Sequence, residues 1–234
     1  MKENILITGV NRGLGLALTK TFLENGNIVF ALYRTMSDDL KKLKRKYNED
    51  ILLFKANVTE EKDIQAAYSK IKNITSSIDI LINNAAVHFE NHRPLLEKTD
   101  FEAIIQTFEV NSIAPLKVIK HFTPLVKNSQ RKLIVNISSE AGSISNQTWR
   151  ESEYGYCMSK AAMNMMSKLL HNRFKKDGVK ILAVHPGWFS SDMGGPEAPI
   201  TPLDAANNVV KTILVDWKID DQIFVDFDAK PMNW

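Results

Sequence analysis

Residues 5–23 read ILITGVNRGLGLALTKTFL, and this one stretch decides the fold. Ile5, Leu6 and Ile7 form a short apolar run ending at Thr8-Gly9. Gly13 and Gly15 follow, and from Leu16 the apolar residues recur at helical spacing. The order predicted is strand, glycine turn, helix. Glycine leaves room where backbone must pass close to another group, and the N–H groups that open a helix attract an anion. The spacing is TGxxxGxG rather than the GxGxxG of the common dinucleotide fingerprint. A tight turn without a ligand would use the same glycines, but the position after the first strand favours a pyrophosphate.

Working outward, apolar strands are predicted at 27–33, 51–55, 78–82, 132–137, 180–184 and 222–225. Helices are predicted at 16–23, 61–72, 97–108, 112–126, from Tyr156 onward and at 203–214. Near-continuous apolar strands alternating with helices define an α/β fold: a Rossmann-type doubly wound parallel sheet in a single domain. The 234 residues suit that size. Thr59, with Glu60 and Glu61 after it, predicts a hydroxyl-capped helix start. The run KKLKRK at 41–46 predicts the solvated face of a helix. Residues 143–154 and 188–202 read as loops, the second rich in Gly and Pro and long enough to be functional.

Lys plus Arg (30) exceeds Asp plus Glu (27) by only three, so no strong field for nucleic acid or a membrane surface is implied. The lone cysteine, Cys157, excludes an internal disulfide, fits a reducing cytoplasm and reads as a small buried filler. The opening MKENILITGV is too short for a signal peptide or a membrane span, and no later segment is long enough to span.

Chemistry concentrates in residues 152–170, SEYGYCMSKAAMNMMSKLL. Tyr156 and Lys160 stand four apart, hence on one helix face. An ammonium beside a phenol, whose ordinary pKa is about 10, favours the phenolate. Any solvated helix can carry such a pair, so its surroundings decide its meaning. Arg34 stands just beyond the second strand, where an acidic residue would select NAD. With Arg12 in the glycine loop, two guanidinium groups would instead welcome a 2′-phosphate and select NADP. Two unrelated surface arginines are the plainer alternative.

TGVNRGLG at 8–15, Asn83-Asn84-Ala85, Asn111, Ser139, YCMSK at 156–160 and Pro186-Gly187 together resemble the short-chain dehydrogenase/reductase family over essentially the whole chain. TGVNRGLG, HPGW followed by SDMGG, and the ending in Trp234 resemble its C-factor and sniffer-like carbonyl reductase branch. The resemblance implies Tyr156 as proton donor, Ser139 orienting the substrate oxygen, and Lys160 lowering the tyrosine pKa and binding ribose. It implies that Asn111 holds a relay water. For the cofactor NADP(H), it implies contacts from Gly9, Asn11, Arg12, Gly13, Leu14, Gly15, Arg34, Asn57, Val58, Asn83 and Ala85. Tyr156, Lys160, Pro186, Gly187, Phe189 and Ser191 complete that set. Departures are Asn57 for the usual Asp, Ala86 for Gly, Ser191 for Thr, and a longer gap between Ser139 and Tyr156. None removes a catalytic group, but the longer loop makes transfer of a substrate from relatives unsafe.

The expected function is an NADPH-dependent carbonyl reductase taking an apolar or aromatic aldehyde or ketone. His88, Trp149, Trp188 and Met193 would wall the pocket, with Phe89, Ile144 and Phe189 near them. No metal and no nucleic acid or membrane partner is expected. The alternative is an NADP-binding signalling or sensor protein of C-factor type with little turnover. Family members often pair through two long helices, here 112–126 and 156–174, so a homodimer is the expected assembly.

Overall fold

The computed structural model describes residues 2–89 and 93–234. Strand β1 (Asn4–Thr8) leads into helix α1 (Gly13–Glu24), then β2 (Ile28–Tyr33), α2 (Asp38–Tyr47), β3 (Ile51–Lys55), α3 (Glu61–Ile71) and β4 (Ile80–Asn83). The second half runs α4 (Phe101–Phe108), α5 (Ala114–Lys127), β5 (Leu133–Ile137), α6 (Tyr154–Phe174), β6 (Lys180–Val184), α7 (Pro202–Ile213) and β7 (Phe224–Val225). All pairings are parallel, in the order β3-β2-β1-β4-β5-β6-β7.

Alternation along each strand feeds two cores. On one face Ile5, Ile7 and Val29 pack with Leu18 and Phe22 of α1 and with Val209 and Ile213 of α7. On the other, Leu6, Phe30, Leu81 and Ile134 pack with Ile119 and Phe122 of α5 and Ile64 of α3. Strands buried on both faces explain why they read as apolar runs rather than as alternating patterns. The chain winds outward in opposite directions from β1 and β4. Their carboxyl ends therefore flank the switch point where such sheets open a ligand crevice.

The sequence expectations differ from the structure at element ends. Helix α3 begins at Glu61 with Glu60 in the cap position and no side-chain cap. Thr59 does not cap it, because it stands one residue ahead of the cap position, where Asn57 Oδ1 accepts from its N–H at 3.3 Å. The expected helix 97–108 breaks after a short turn at Leu96–Lys98, and Asp100 caps a fresh start by accepting from Glu102 N and Ala103 N. Asn111 does not separate two helices; a π-helical turn, Glu109–Ile113, joins α4 to α5 through it. Helix α2 does show its basic residues to solvent while Leu40 is buried. Cys157 is half-buried rather than sealed in the core.

Candidate active site

The carboxyl ends of the strands open into a cavity of about 850 Å³. Its floor at one end is the glycine loop. Gly9 and Gly13 have φ of 72° and 54°, a region that side chains rarely adopt. Gly15 sits so close to the loop that an added Cβ would lie 2.2 Å from Gly9 O and 2.4 Å from Asn84 Nδ2. Helix α1 starts here with no side-chain cap and no acid in its first turn, so its first N–H groups are left for an anion. Thr8 Oγ1 accepts from Asn84 N (3.0 Å) and Ala85 N (3.1 Å), and Asn84 Nδ2 donates to Thr8 O (2.9 Å). These bonds stitch the exits of β1 and β4 together.

All but one of the expected cofactor residues line this cavity, including Asn11, Arg34, Asn57, Val58, Ala85 and Gly187. Asn83 is the exception. It is buried in β4 and donates to Asn136 Oδ1 inside the sheet (2.9 Å), while its neighbour Asn84 faces the cavity. Arg12 lines the cavity and ion-pairs with Asp192, which lines it too. Ser191 Oγ accepts from Gly194 N (2.9 Å), and Trp188 Nε1 donates to Gly194 O (2.7 Å), which folds the 188–195 loop on itself. An open cradle of backbone N–H groups, with two arginines along its edge, fits a phosphate-bearing dinucleotide.

Further in, Tyr156, Ser139 and Lys160 come together. Ser139 follows β5 and is hydrogen-bonded to Tyr156; its Oγ also accepts from Ala141 N (3.1 Å). Lys160 is almost fully buried and donates to Ile137 O (2.8 Å), with its Nζ 5.7 Å from the centre of the Tyr156 ring. Burial pushes the Tyr156 phenol up to about 12, against the lowering influence of Ser139. Burial likewise pulls Lys160 down to about 7. The expectation that the Lys160 ammonium favours the phenolate is not met: burial raises the phenol, the opposing influences are Ser139 and then Arg150, and the tyrosine stays a protonated donor.

Asn111 does not line the cavity. Its side chain accepts from Val87 N (2.9 Å) and donates to Val87 O (2.9 Å) and Ser159 Oγ (3.1 Å). Both amide hydrogens are thus used in fastening the β4 exit to α6. The four expected substrate residues, His88, Trp149, Trp188 and Met193, do line the cavity; Phe89 and Ile144 do not.

Sequence reasoning missed an ionic cluster beside the tyrosine. Glu153 is buried, and its carboxylate lies 3.6 Å from His88 Nε2, 3.4 Å from Arg93 Nε and 3.4 Å from Arg150 Nε. Arg150 also donates to Glu140 Oε1 (3.0 Å) and stacks over Trp149, 4.4 Å from its centre. The His88 ring lies 4.8 Å from the Tyr156 ring. The only signal in the sequence was the density of charge at Arg150, Glu151 and Glu153 just ahead of Tyr156.

A phosphate cradle at the switch point, leading to a serine, a tyrosine and a lysine, defines a nucleotide-dependent oxidoreductase site. The short chain dehydrogenase pattern matches residues 3–199, and the chain belongs to that family. It is 31% identical over 139 residues to C-signal of Myxococcus xanthus, covering 59% of this chain and 82% of that protein. Its fold superposes on the carbonyl reductase Sniffer of D. melanogaster with a TM-score of 0.94, at 26% identity over all of both chains. The NADPH-bound carbonyl reductase from chicken fatty liver gives 0.90 and 27% identity, again over all of both chains. Among the described residues no helix is long and apolar enough to cross a membrane.

Proposed function

We propose that this chain is an NADPH-dependent carbonyl reductase of the cytoplasm in which Tyr156 is the general acid. The observation that carries this reading is the hydrogen-bonded Ser139–Tyr156 pair at the inner end of the dinucleotide-shaped cavity. Bound NADPH supplies the hydride. Ser139 orients the carbonyl oxygen, and Tyr156 gives that oxygen its proton as charge develops there. Burial keeps the phenol protonated through neutral pH, which is the state that reduction uses. Lys160, on the cavity wall from α6, would hold the ribose hydroxyls of the bound cofactor, and Asn111 holds the β4 exit in place through Val87. The NADPH-bound chicken reductase supports the choice of cofactor, as do Arg12 and Arg34 on the cavity wall.

Trp149, Trp188 and Met193 support an aldehyde or ketone with an apolar or aromatic body as substrate. The test is NADPH consumption, followed by absorbance, across aldehydes, ketones and quinones. Turnover with some of them is expected; none with any would contradict the proposal. The likeness to C-signal supports a second reading, an NADP-binding signalling protein, which predicts NADPH binding without turnover. For the assembly we propose a homodimer. Phe101, Ile105, Leu116, Met165 and Leu169 expose apolar surface on α4, α5 and α6, and light scattering at twice the chain mass is the expected result.

A further inference from the structure

Glu153 occupies a position that ordinary helix chemistry does not explain. It is the residue just before α6, at φ 64° and ψ 35°, a left-handed conformation in which glycine or asparagine sits with less strain. An acid there would ordinarily cap the helix, yet its side chain makes no cap hydrogen bond. The residue is 6% exposed, and a buried carboxylate persists only where partners compensate it. Its partners converge from separate segments: His88 and Arg93 from beyond β4, and Arg150 from the loop beyond β5. Those segments wall the cavity around Tyr156, three residues further along the helix.

We propose that Glu153 is a positioning residue for the proton-donating tyrosine, its carboxylate bracing His88, Arg93 and Arg150 into one wall that fixes Tyr156 against Ser139. The proposal rests on the reading of Tyr156 as the general acid. His88 transmits the brace directly, since its ring lies 4.8 Å from the phenol ring. The titratable and charged groups around that phenol are Cys157, Lys160, Arg150, His88 and Glu153 itself, and Glu140, Arg93 and His185 also line the cavity. Among them Glu153 acts electrostatically to keep the phenol protonated, which adds to the mechanical effect.

The test compares wild type, Glu153→Gln, His88→Asn and Tyr156→Phe in NADPH oxidation with a responsive aldehyde from pH 6 to 12, beside NADPH titration by fluorescence. Glu153→Gln is expected to lower kcat about tenfold and leave the Kd for NADPH within about twofold. It is also expected to move the basic limb of the profile to lower pH, because the charge opposing phenol ionisation is gone. A wild-type kcat with an unmoved limb overturns the proposal; so does a parallel loss of turnover, NADPH binding and Tm. If Glu153→Gln does not fold, His88→Asn decides, and wild-type kcat in that variant overturns the brace. Turnover surviving in Tyr156→Phe instead contradicts the acid assignment. If wild type reduces no carbonyl tried, 13Cζ-tyrosine NMR reads the same question. The Tyr156 signal must begin to ionise at lower pH in Glu153→Gln, and an unchanged onset overturns the proposal.

Discussion

The two ends of the cavity are built from different materials. The end proposed for the cofactor is made of backbone: glycines at positive φ, the uncapped start of α1, and the Thr8–Asn84 stitching between two strand exits. The end proposed for the substrate is made of side chains carried on loops, where His88 meets Trp149, Arg150 and Glu153 from some 60 residues away. A backbone site tolerates little substitution because no rotamer can move aside. A side-chain site can be retuned one residue at a time, which is how one fold serves many substrates.

That contrast predicts its largest effect in the glycine loop. Gly15→Ala places a Cβ against Gly9 O at 2.2 Å, and backbone cannot yield cheaply. The variant is expected to lose about 1–3 kcal/mol of stability. NADPH affinity should fall about a hundredfold, equivalent to ~3 kcal/mol. Calorimetry and fluorescence titration check both. Wild-type affinity in this variant would break the comparison at its firmer end.

Arg34→Asp should act next most strongly, and on selectivity alone. Replacing a cation by an anion on the wall where the adenosine phosphate would lie should reverse the preference from NADPH to NADH, a change of about ten- to a hundredfold. Equal affinities of the wild type for the two nucleotides would remove the basis for this prediction.

A separate effect is a pH dependence of stability, measured without added NADPH. Burial lowers Lys160 from its ordinary 10.5 to about 7. Between those values the unfolded chain binds the proton and the folded chain does not, so stability rises as pH increases from about 7 toward 10. Lys160→Met should flatten that rise in Tm between pH 7 and 9. An identical rise in both proteins would assign it to other groups.

How legible each end was follows from the same contrast. Glycine spacing after an apolar strand reports a backbone geometry directly, so the loop and the parallel sheet could be read from sequence, whereas most of the other residues along the cavity were named only through the family resemblance. The asparagines were harder. Asn83 and Asn84 are adjacent, but residues in succession along a strand point to opposite sides. Only the fold shows that Asn83 turns to Asn136 and Asn84 to the cavity. Asn111 looked like a separator between helices because a π turn leaves no mark in periodicity. Glu153 was invisible as a functional candidate, since its role depends on a left-handed backbone and on partners some 60 residues away along the chain. The pairing of Arg12 with Asp192, 180 residues apart, was hidden for the same reason.

The most direct test of the account is Tyr156→Phe, which removes one hydroxyl from a buried ring at the junction of the two ends. NADPH should bind with unchanged affinity, because the backbone cradle is intact. Turnover should fall at least about a thousandfold, as expected when a general acid is lost. Turnover within about tenfold of wild type would contradict the assignment of Tyr156 as the proton donor.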